Sequence, residues 1–294
     1  MEKAVYHLPG LFEFYDFYRK FLPIYREKTE YFYDWCQIGS LYGAPADCLW
    51  AGGRVSTGNA DPRQVLALTE EYGLSARLTF SNSLLCPEHL KDPKCNRLCA
   101  LFGAEPGNGV IVHSELLLDY LKEKYPNFYF VSSTTKVLTD FEDLAAETER
   151  PDFRYVVPDF RLNKAFDRLA GLKEKRKVEF LCNECCWPGC RERKECYENV
   201  SRKNLGERCP DHICAAPEGE KGYRFSAAMK NPAFIGIRDI RETYLPMGFS
   251  QFKIEGRGLG SAMLLEFILY YLTKPEYQLP LREEMYLDSM LDLF

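Results

Sequence analysis

Short apolar runs recur along the chain, and longer amphipathic stretches separate them. Several runs, such as VIV, FYFV, YVV and FIGI, are almost continuously apolar. Strands that are buried on both faces of a parallel sheet have this pattern. The pattern predicts eight strands, at residues 46–50, 76–81, 109–112, 128–132, 154–158, 178–182, 233–237 and 251–255.

Helical periodicity fills the intervals between these strands. Asp61 and Pro62 form a typical helix start, with an N-cap aspartate before a proline in the first turn. An opening helical stretch at 11–33, kinked or broken at Pro23, is expected to precede the first strand and to cover the barrel floor. The other helices are predicted at residues 61–72, 114–124, 139–147, 163–172, 238–245 and 259–272.

The alternation of strands and helices indicates βαβ units and a parallel sheet. The chain has 294 residues, and α/β barrels commonly use about 250 residues as one domain. We therefore predict the α/β class and a single (β/α)₈ TIM-type barrel domain over residues 1–294. A doubly wound open sheet is the alternative.

Two of the predicted connections are unusually long. Residues 82–104 follow the second predicted strand and contain Cys86, Cys95 and Cys99. Residues 183–231 follow the sixth predicted strand and form a long cysteine-rich insertion. Loops that follow barrel strands lie at the C-terminal face, where barrel enzymes build their sites. Both connections are therefore expected on the functional side.

Cysteine is the residue type that stands out in the composition. The chain has 12 cysteines, and most lie between residues 182 and 214. Clustered cysteines without an export signal more often bind metal than form disulfides. The spacings predict a metal or cluster site whose candidate ligands are Cys186, Cys190, Cys196, Cys209 and Cys214.

The identity of the metal is less constrained by the spacing. Zinc ribbons use paired CxxC motifs, and only Cys182 and Cys185 have that spacing here. The irregular gaps favour a 4Fe–4S cluster, with zinc as the alternative, and buried or free thiols are the plain structural interpretation. Whether Cys86, Cys95 or Cys99 reaches the same centre is left open.

Polar residues follow most of the predicted strands and are expected to meet in the barrel mouth. Three carboxylates are candidates for catalytic proton transfer: Asp159, Glu184 and Glu255. Five further side chains are candidates for substrate binding: Arg54, Asn82, Arg161, Asn183 and Arg257. Any one of them could instead make only a cap or loop hydrogen bond. His113 is the one histidine at the end of a predicted strand.

Charge and hydropathy limit the classes of partner that we expect for this protein. The net charge of −5 gives no indication of nucleic-acid binding. No apolar run is long enough for a membrane span, and the N-terminus, which contains Pro9 and charged residues, does not have the pattern of a signal peptide. We therefore expect a cytoplasmic protein with a polar or anionic substrate, no membrane association, and a protein partner or heterodimer as one option.

The closing segment FKIEGRGLGSAMLLEFILYYL, residues 252–272, resembles the final strand and helix of the collagenase-like peptidase family U32. Lys253, Glu255, Gly256 and Arg257 carry this match. The segment ADCLWAGGR at 46–54 resembles the family's early strand and glycine turn. The motif that begins at Asn183 resembles one in uncharacterised bacterial relatives. The chain thus looks like a distant bacterial branch of the family.

The resemblance implies a barrel with a 4Fe–4S cluster and, in characterised relatives, oxygen-independent hydroxylation of RNA bases or of a quinone precursor. The cysteine spacings depart from the family's, and no added C-terminal domain is expected here, so RNA binding need not carry over. The leading hypothesis is an iron–sulfur enzyme of hydroxylation or related modification. The alternatives are a metal-dependent hydrolase or peptidase, and a non-catalytic accessory protein with a structural zinc or cluster.

Overall fold

Eight parallel strands form a barrel in the computed structural model, which describes residues 2–53, 58–184, 186–217, 219 and 222–291. Consecutive strands pair in chain order except for the sixth and the seventh, and the last strand pairs with the first. A parallel bridge between Val156 and Val178 joins the two remaining edges. The strands are β1 (Ala4–Pro9), β2 (Cys36–Gly43), β3 (Ser75–Phe80), β4 (Gly109–Val112), β5 (Tyr129–Ser132), β6 (Phe153–Val156), β7 (Glu179–Leu181) and β8 (Gln251–Lys253). The predicted fold class is confirmed.

The first two strands are not the predicted ones. β1 and β2 lie before residue 46, in a region predicted to hold only a helix. Residues 46–50 form turns instead of a strand, and 233–237 contributes only one hydrogen bond toward the sheet, from the Ile235 N–H to the Cys182 carbonyl. The cysteine-rich insertion therefore follows the seventh strand, not the sixth.

The helices cover the outside of the barrel. α1 follows β1 instead of preceding the first strand, and it contains Pro23. α2 begins as predicted, because the Asp61 side chain accepts the N–H groups of Arg63 and Gln64. The helices are α1 (Tyr15–Glu27), α2 (Pro62–Glu71), α3 (Pro93–Phe102), α4 (Glu115–Lys124), α5 (Phe141–Glu149), α6 (Phe166–Ala170), α7 (Arg193–Asn204), α8 (Phe225–Ala228), α9 (Ile237–Asp239), α10 (Leu245–Met247), α11 (Ser261–Tyr271) and α12 (Gln278–Leu291).

Four of these helices were not predicted: α3 in the first long connection, α7 and α8 in the cysteine-rich insertion, and α12. A π-helical turn, Ile240–Tyr244, links α9 to α10. No helix within the described ranges is both long and apolar enough to cross a bilayer.

The two faces of the barrel strands differ in character. Outward side chains such as Tyr6, Leu8 and Phe252 pack with the helices in one large apolar core. The inner face carries a small apolar group formed by Tyr42, Ile111, Val131, Val157 and Leu181. Below it, at the N-terminal side, the interior is polar, with His7, Ser40, Arg77, Glu179 and Gln251 all buried. Barrel interiors are usually filled by branched apolar residues, so this polar layer is a distinctive feature.

Candidate active site at the barrel mouth

A cavity of about 240 Å³ opens at the C-terminal ends of the strands. Strands β2, β3, β4, β7 and β8 or the residues that follow them contribute to its wall, together with the loop after β5 and helix α7. The lining side chains include Tyr42, Thr79, Ser133, Thr135, Tyr197, Lys253, Glu255 and Arg257. The cavity therefore occupies the position at which barrel enzymes build their active sites.

Lys253 lies in the wall of this cavity and is almost fully buried. Its Nζ atom is 3.4 Å from Oε1 of Glu179 and 3.6 Å from the ring centroid of Tyr42. Burial disfavours the ammonium form and lowers the pKa of Lys253 to about 8, although the Glu179 carboxylate opposes the shift. About a tenth of this amine is therefore unprotonated at pH 7, far more than for a lysine with the ordinary pKa.

Glu179 sits beneath Lys253 and is surrounded by basic groups. Its Oε2 atom is 2.5 Å from Nη1 of Arg77 and 3.5 Å from Nε2 of His7. Burial alone would raise the pKa of Glu179, but Arg77, and after it His7 and Lys253, hold this pKa at about 2. Burial and then Arg77 lower the pKa of His7 to about 3. The layer therefore contains a carboxylate, a guanidinium and a neutral imidazole at pH 7.

The turn after β8 fixes the other charged residues of the cavity. Asn183 holds Glu255 through its backbone, since the Glu255 N–H donates to Oδ1 of Asn183 at 2.7 Å and the Asn183 amide donates to the Glu255 carbonyl at 3.0 Å. Arg257 donates to Oε1 of Glu13 at 2.7 Å and to the Ala44 carbonyl at 3.0 Å. A Cβ at Gly53 would lie 2.5 Å from Nη1 of Arg257, which explains the glycine there. Glu255 and Arg257 thus face the cavity on a fixed backbone.

The other two predicted catalytic carboxylates lie in a buried ionic cluster beside the cavity. Arg193, on α7, is 2.5 Å from Oε2 of Glu184 and 3.4 Å from Oδ2 of Asp159. Arg161 donates to Asp159 at 2.6 Å and to the Cys190 carbonyl at 2.8 Å. These contacts attach the cysteine-rich insertion to the barrel. The catalytic roles predicted for Asp159 and Glu184, and the binding role of Arg161, stay predictions.

The remaining predicted binding residues are held in backbone contacts or fall outside the description. The Asn82 amide donates to the carbonyls of Leu49 and Ser201, each at 3.1 Å. Asn183 is bonded to the backbone of Glu255. Arg54 lies outside the described residues. Of the eight predicted catalytic and binding residues, Glu255 and Arg257 are the pair that the structure places in the cavity wall.

The five predicted ligand cysteines are spread over the insertion. Sγ of Cys209 accepts from the Asn199 amide at 3.6 Å, Cys196 lies on α7, and Cys214 is exposed. Among the described residues, which exclude Cys185, no three His, Cys, Asp or Glu side chains are arranged to hold a metal ion. The side chains as placed do not form a ligand set, and the predicted centre stays a prediction.

Two cysteines outside the insertion do meet. Sγ of Cys48, in the loop after β2, lies 2.8 Å from Sγ of Cys95 on α3, and both are buried. Burial raises the pKa of Cys95 well above its ordinary range. This contact joins the two connections that border the cavity from the β2 and β3 side.

The sequence analysis assigned no site role to Tyr42, to the hydroxyl pair beside His113, or to Lys253, which it named only as part of the segment that resembles the U32 family. Nδ1 of His113 lies 2.9 Å from Oγ1 of Thr135, which donates to Oγ of Ser133 at 2.9 Å. Burial lowers the pKa of His113 to about 4, so its imidazole is neutral at pH 7. A signal for Lys253 was present, because it lies two residues before Glu255 and side chains two apart share one face of a strand.

Comparison with known proteins finds a similar fold in a solved structure. No family model matches the chain, and no curated protein sequence matches it significantly. A solved structure described as that of the U32 peptidase Mk0906 superposes with a TM-score of 0.56 at 14% identity, over 88% of this chain and 94% of that one. The chain therefore has a fold distantly similar to that of a U32 peptidase.

Proposed function

We propose that the chain is an enzyme whose reaction takes place in the mouth cavity on a small polar substrate, with Lys253 exchanging a proton with that substrate. The observation that carries this proposal is the placement of Lys253, a buried amine in the cavity wall, above a carboxylate that is already paired with Arg77. A general acid or base works best when its pKa lies near the working pH, and the pKa of Lys253 meets that condition.

The neighbours of Lys253 have complementary roles in this proposal. Glu255 supplies a second group that can take up or deliver a proton at the same cavity. The guanidinium of Arg257, which Glu13 holds in place, binds an anionic part of the substrate. The hydroxyl groups of Thr79 and Ser133 line the cavity and offer hydrogen bonds that orient a polar molecule.

The test compares substrate turnover by two lysine variants. Purified protein is incubated with a mixture of low-molecular-weight metabolites, and compounds that disappear are followed by mass spectrometry. Lys253→Met is expected to abolish consumption, while Lys173→Met, at a site 78% exposed, is expected to retain it. Consumption that is equal in both variants, or absent from the wild type, would contradict the proposal.

A more specific form of the proposal concerns the reaction. The cysteine-rich insertion and the U32 resemblance favour oxygen-independent hydroxylation or a related modification with a 4Fe–4S cluster. Metal-dependent hydrolysis and a non-catalytic role with a structural zinc are the alternatives. Since the five candidate cysteine side chains do not converge, the roles proposed for Lys253, Glu255 and Arg257 do not depend on a metal or cluster.

Metal analysis separates these forms. The protein is purified without oxygen, its iron and zinc contents are measured, and its absorption and paramagnetic resonance spectra are recorded. About four irons per chain with the spectrum of a cluster would support the iron–sulfur form. One tightly held zinc without iron would exclude it. Cys190→Ala should then lose metal, and full retention would remove Cys190 from the candidate ligands.

A further inference from the structure

The surroundings of Lys253 suit a second kind of chemistry besides proton transfer. Its Nζ atom lies against the face of the Tyr42 ring and 3.4 Å from Glu179, and the side chain is almost fully buried where it lines the cavity. A lysine amine becomes a nucleophile when it is desolvated or placed near another cation. Arg77, bonded to the same carboxylate, supplies that second positive charge.

We propose that Lys253 forms an imine with the carbonyl group of a small aldehyde or ketone bound in the mouth cavity. This inference rests on the proposed function, because it assigns the substrate class of the same site. The cavity volume of about 240 Å³ accommodates a small molecule of this class next to Nζ.

The step is balanced without an oxidant or reductant. The unprotonated amine attacks the carbonyl carbon and forms a C–N bond while the π bond of the carbonyl group breaks. One proton passes from the nitrogen to the oxygen to give a carbinolamine. The nitrogen then loses its remaining proton, the hydroxyl oxygen takes up a second proton, and the C–O bond breaks with release of water. We assign both proton transfers from nitrogen to oxygen to Glu255, a carboxyl group in the cavity wall. The products are one imine and one water molecule.

Glyoxylate with cyanoborohydride is the probe, since reduction of the imine leaves a stable carboxymethyl group on lysine. Wild-type protein is treated at pH 7, and the adducts at Lys253 and Lys173 are quantified over time by peptide mass spectrometry. Lys173 is the internal control because its side chain is exposed. From the unprotonated fractions of the two amines, Lys253 is expected to react on the order of 100-fold faster. In urea the two lysines should react at equal rates.

The outcome decides the proposal without any variant. Lys253 that reacts no faster than Lys173 in the folded protein overturns imine formation. If Lys253 nevertheless titrates near pH 8 by nuclear magnetic resonance, the proton-transfer role survives and only the imine is lost. If it titrates near 10.5, its ordinary value, and also reacts slowly, then both the imine and the proton-transfer role fail, and Lys253 only neutralises Glu179.

Discussion

At Lys253 two electrostatic effects oppose each other, and their balance determines the chemistry of the amine. Burial removes water from the ammonium form, while Glu179 attracts it at 3.4 Å. Arg77 is closer to the Glu179 carboxylate, at 2.5 Å. Much of the negative charge of Glu179 is therefore already compensated by Arg77. Desolvation is therefore the larger effect, and the pKa of Lys253 falls instead of rising.

The same balance predicts the result of removing the charge of Glu179. Glu179→Gln leaves Arg77 and Lys253 buried without their shared carboxylate, and breaking a buried ion pair in this way costs about 3–5 kcal/mol. Urea unfolding should show a loss of this size. Glu149→Gln, which removes the partner of Lys173 at a half-exposed site, should change the free energy of unfolding by less than about 1 kcal/mol. Equal losses in the two variants would contradict the buried cluster.

Some residues of the candidate active site could be predicted from the sequence. Glu255 and Arg257 follow a strand, and barrel topology brings such residues to the mouth. Asp159 and Glu184 follow strands as well, but their pairing with Arg193 depends on α7, whose position no local pattern reveals. Tyr42 could not be found, because β2 itself was not recognised.

Helix α7 shows how one element depends on a few buried charges. The helix is mostly polar, and its buried residues are Arg193, Tyr197 and Ser201. Tyr197 is therefore the one large aromatic side chain that it buries against the barrel. Arg193, 1% exposed, reaches both Glu184 and Asp159. The ionic cluster therefore anchors the N-terminal end of α7, and with it the Tyr197 side of the cavity.

Arg193→Met tests this anchoring. Two buried carboxylates lose their shared partner, so the insertion at 183–231 should open more often while the barrel stays folded. Limited proteolysis within the insertion should become on the order of tenfold faster. Arg191→Met, two residues away at an exposed position, is the matched control and should not change the cleavage rate. Unchanged cleavage of the Arg193 variant would show that other contacts hold α7.

Two strands escaped prediction for a physical reason. The inner face of the barrel is polar at β1 and β2, where His7 and Ser40 bond to each other at 2.8 Å. Their sequences, AVYHLP and CQIGSLYG, therefore lack the continuous apolar run used to recognise buried parallel strands. The six strands that were found, and the N-cap of α2, have local signals that agree with the final structure.

At the scale of the whole molecule, the polar layer makes stability depend on pH. The pKa values of His7 and Glu179 in the folded protein are about 3 and 2, below their ordinary values of 6.5 and 4.5. The unfolded chain therefore binds more protons than the folded chain between these values, and stability falls as the pH drops through them. The contribution of His7 to the free energy of unfolding is fully present above about pH 6.5 and is lost as the pH falls toward 3.

Thermal unfolding measured between pH 7 and pH 4 should show this loss. The free energy of unfolding should fall by an amount on the order of a few kcal/mol. His7→Asn, which keeps polar atoms at the site but cannot gain a charge, should reduce the slope between pH 6.5 and 4.5 by about half, because the partly buried His113 contributes a similar slope. His212→Asn, at a histidine in the insertion, should leave the slope unchanged. A slope that is the same with and without His7 would assign the acid sensitivity to other groups.

The measurement that bears most directly on the mouth cavity as an active site is the titration of Lys253. Protein labelled with ¹³C at the lysine side chains is titrated from pH 6 to pH 11 by nuclear magnetic resonance, and Lys253→Arg assigns the signal by its loss. We expect the Lys253 signal to titrate near pH 8. A Lys253 signal that titrates near pH 10.5, the ordinary value for lysine, would contradict the proposed active site.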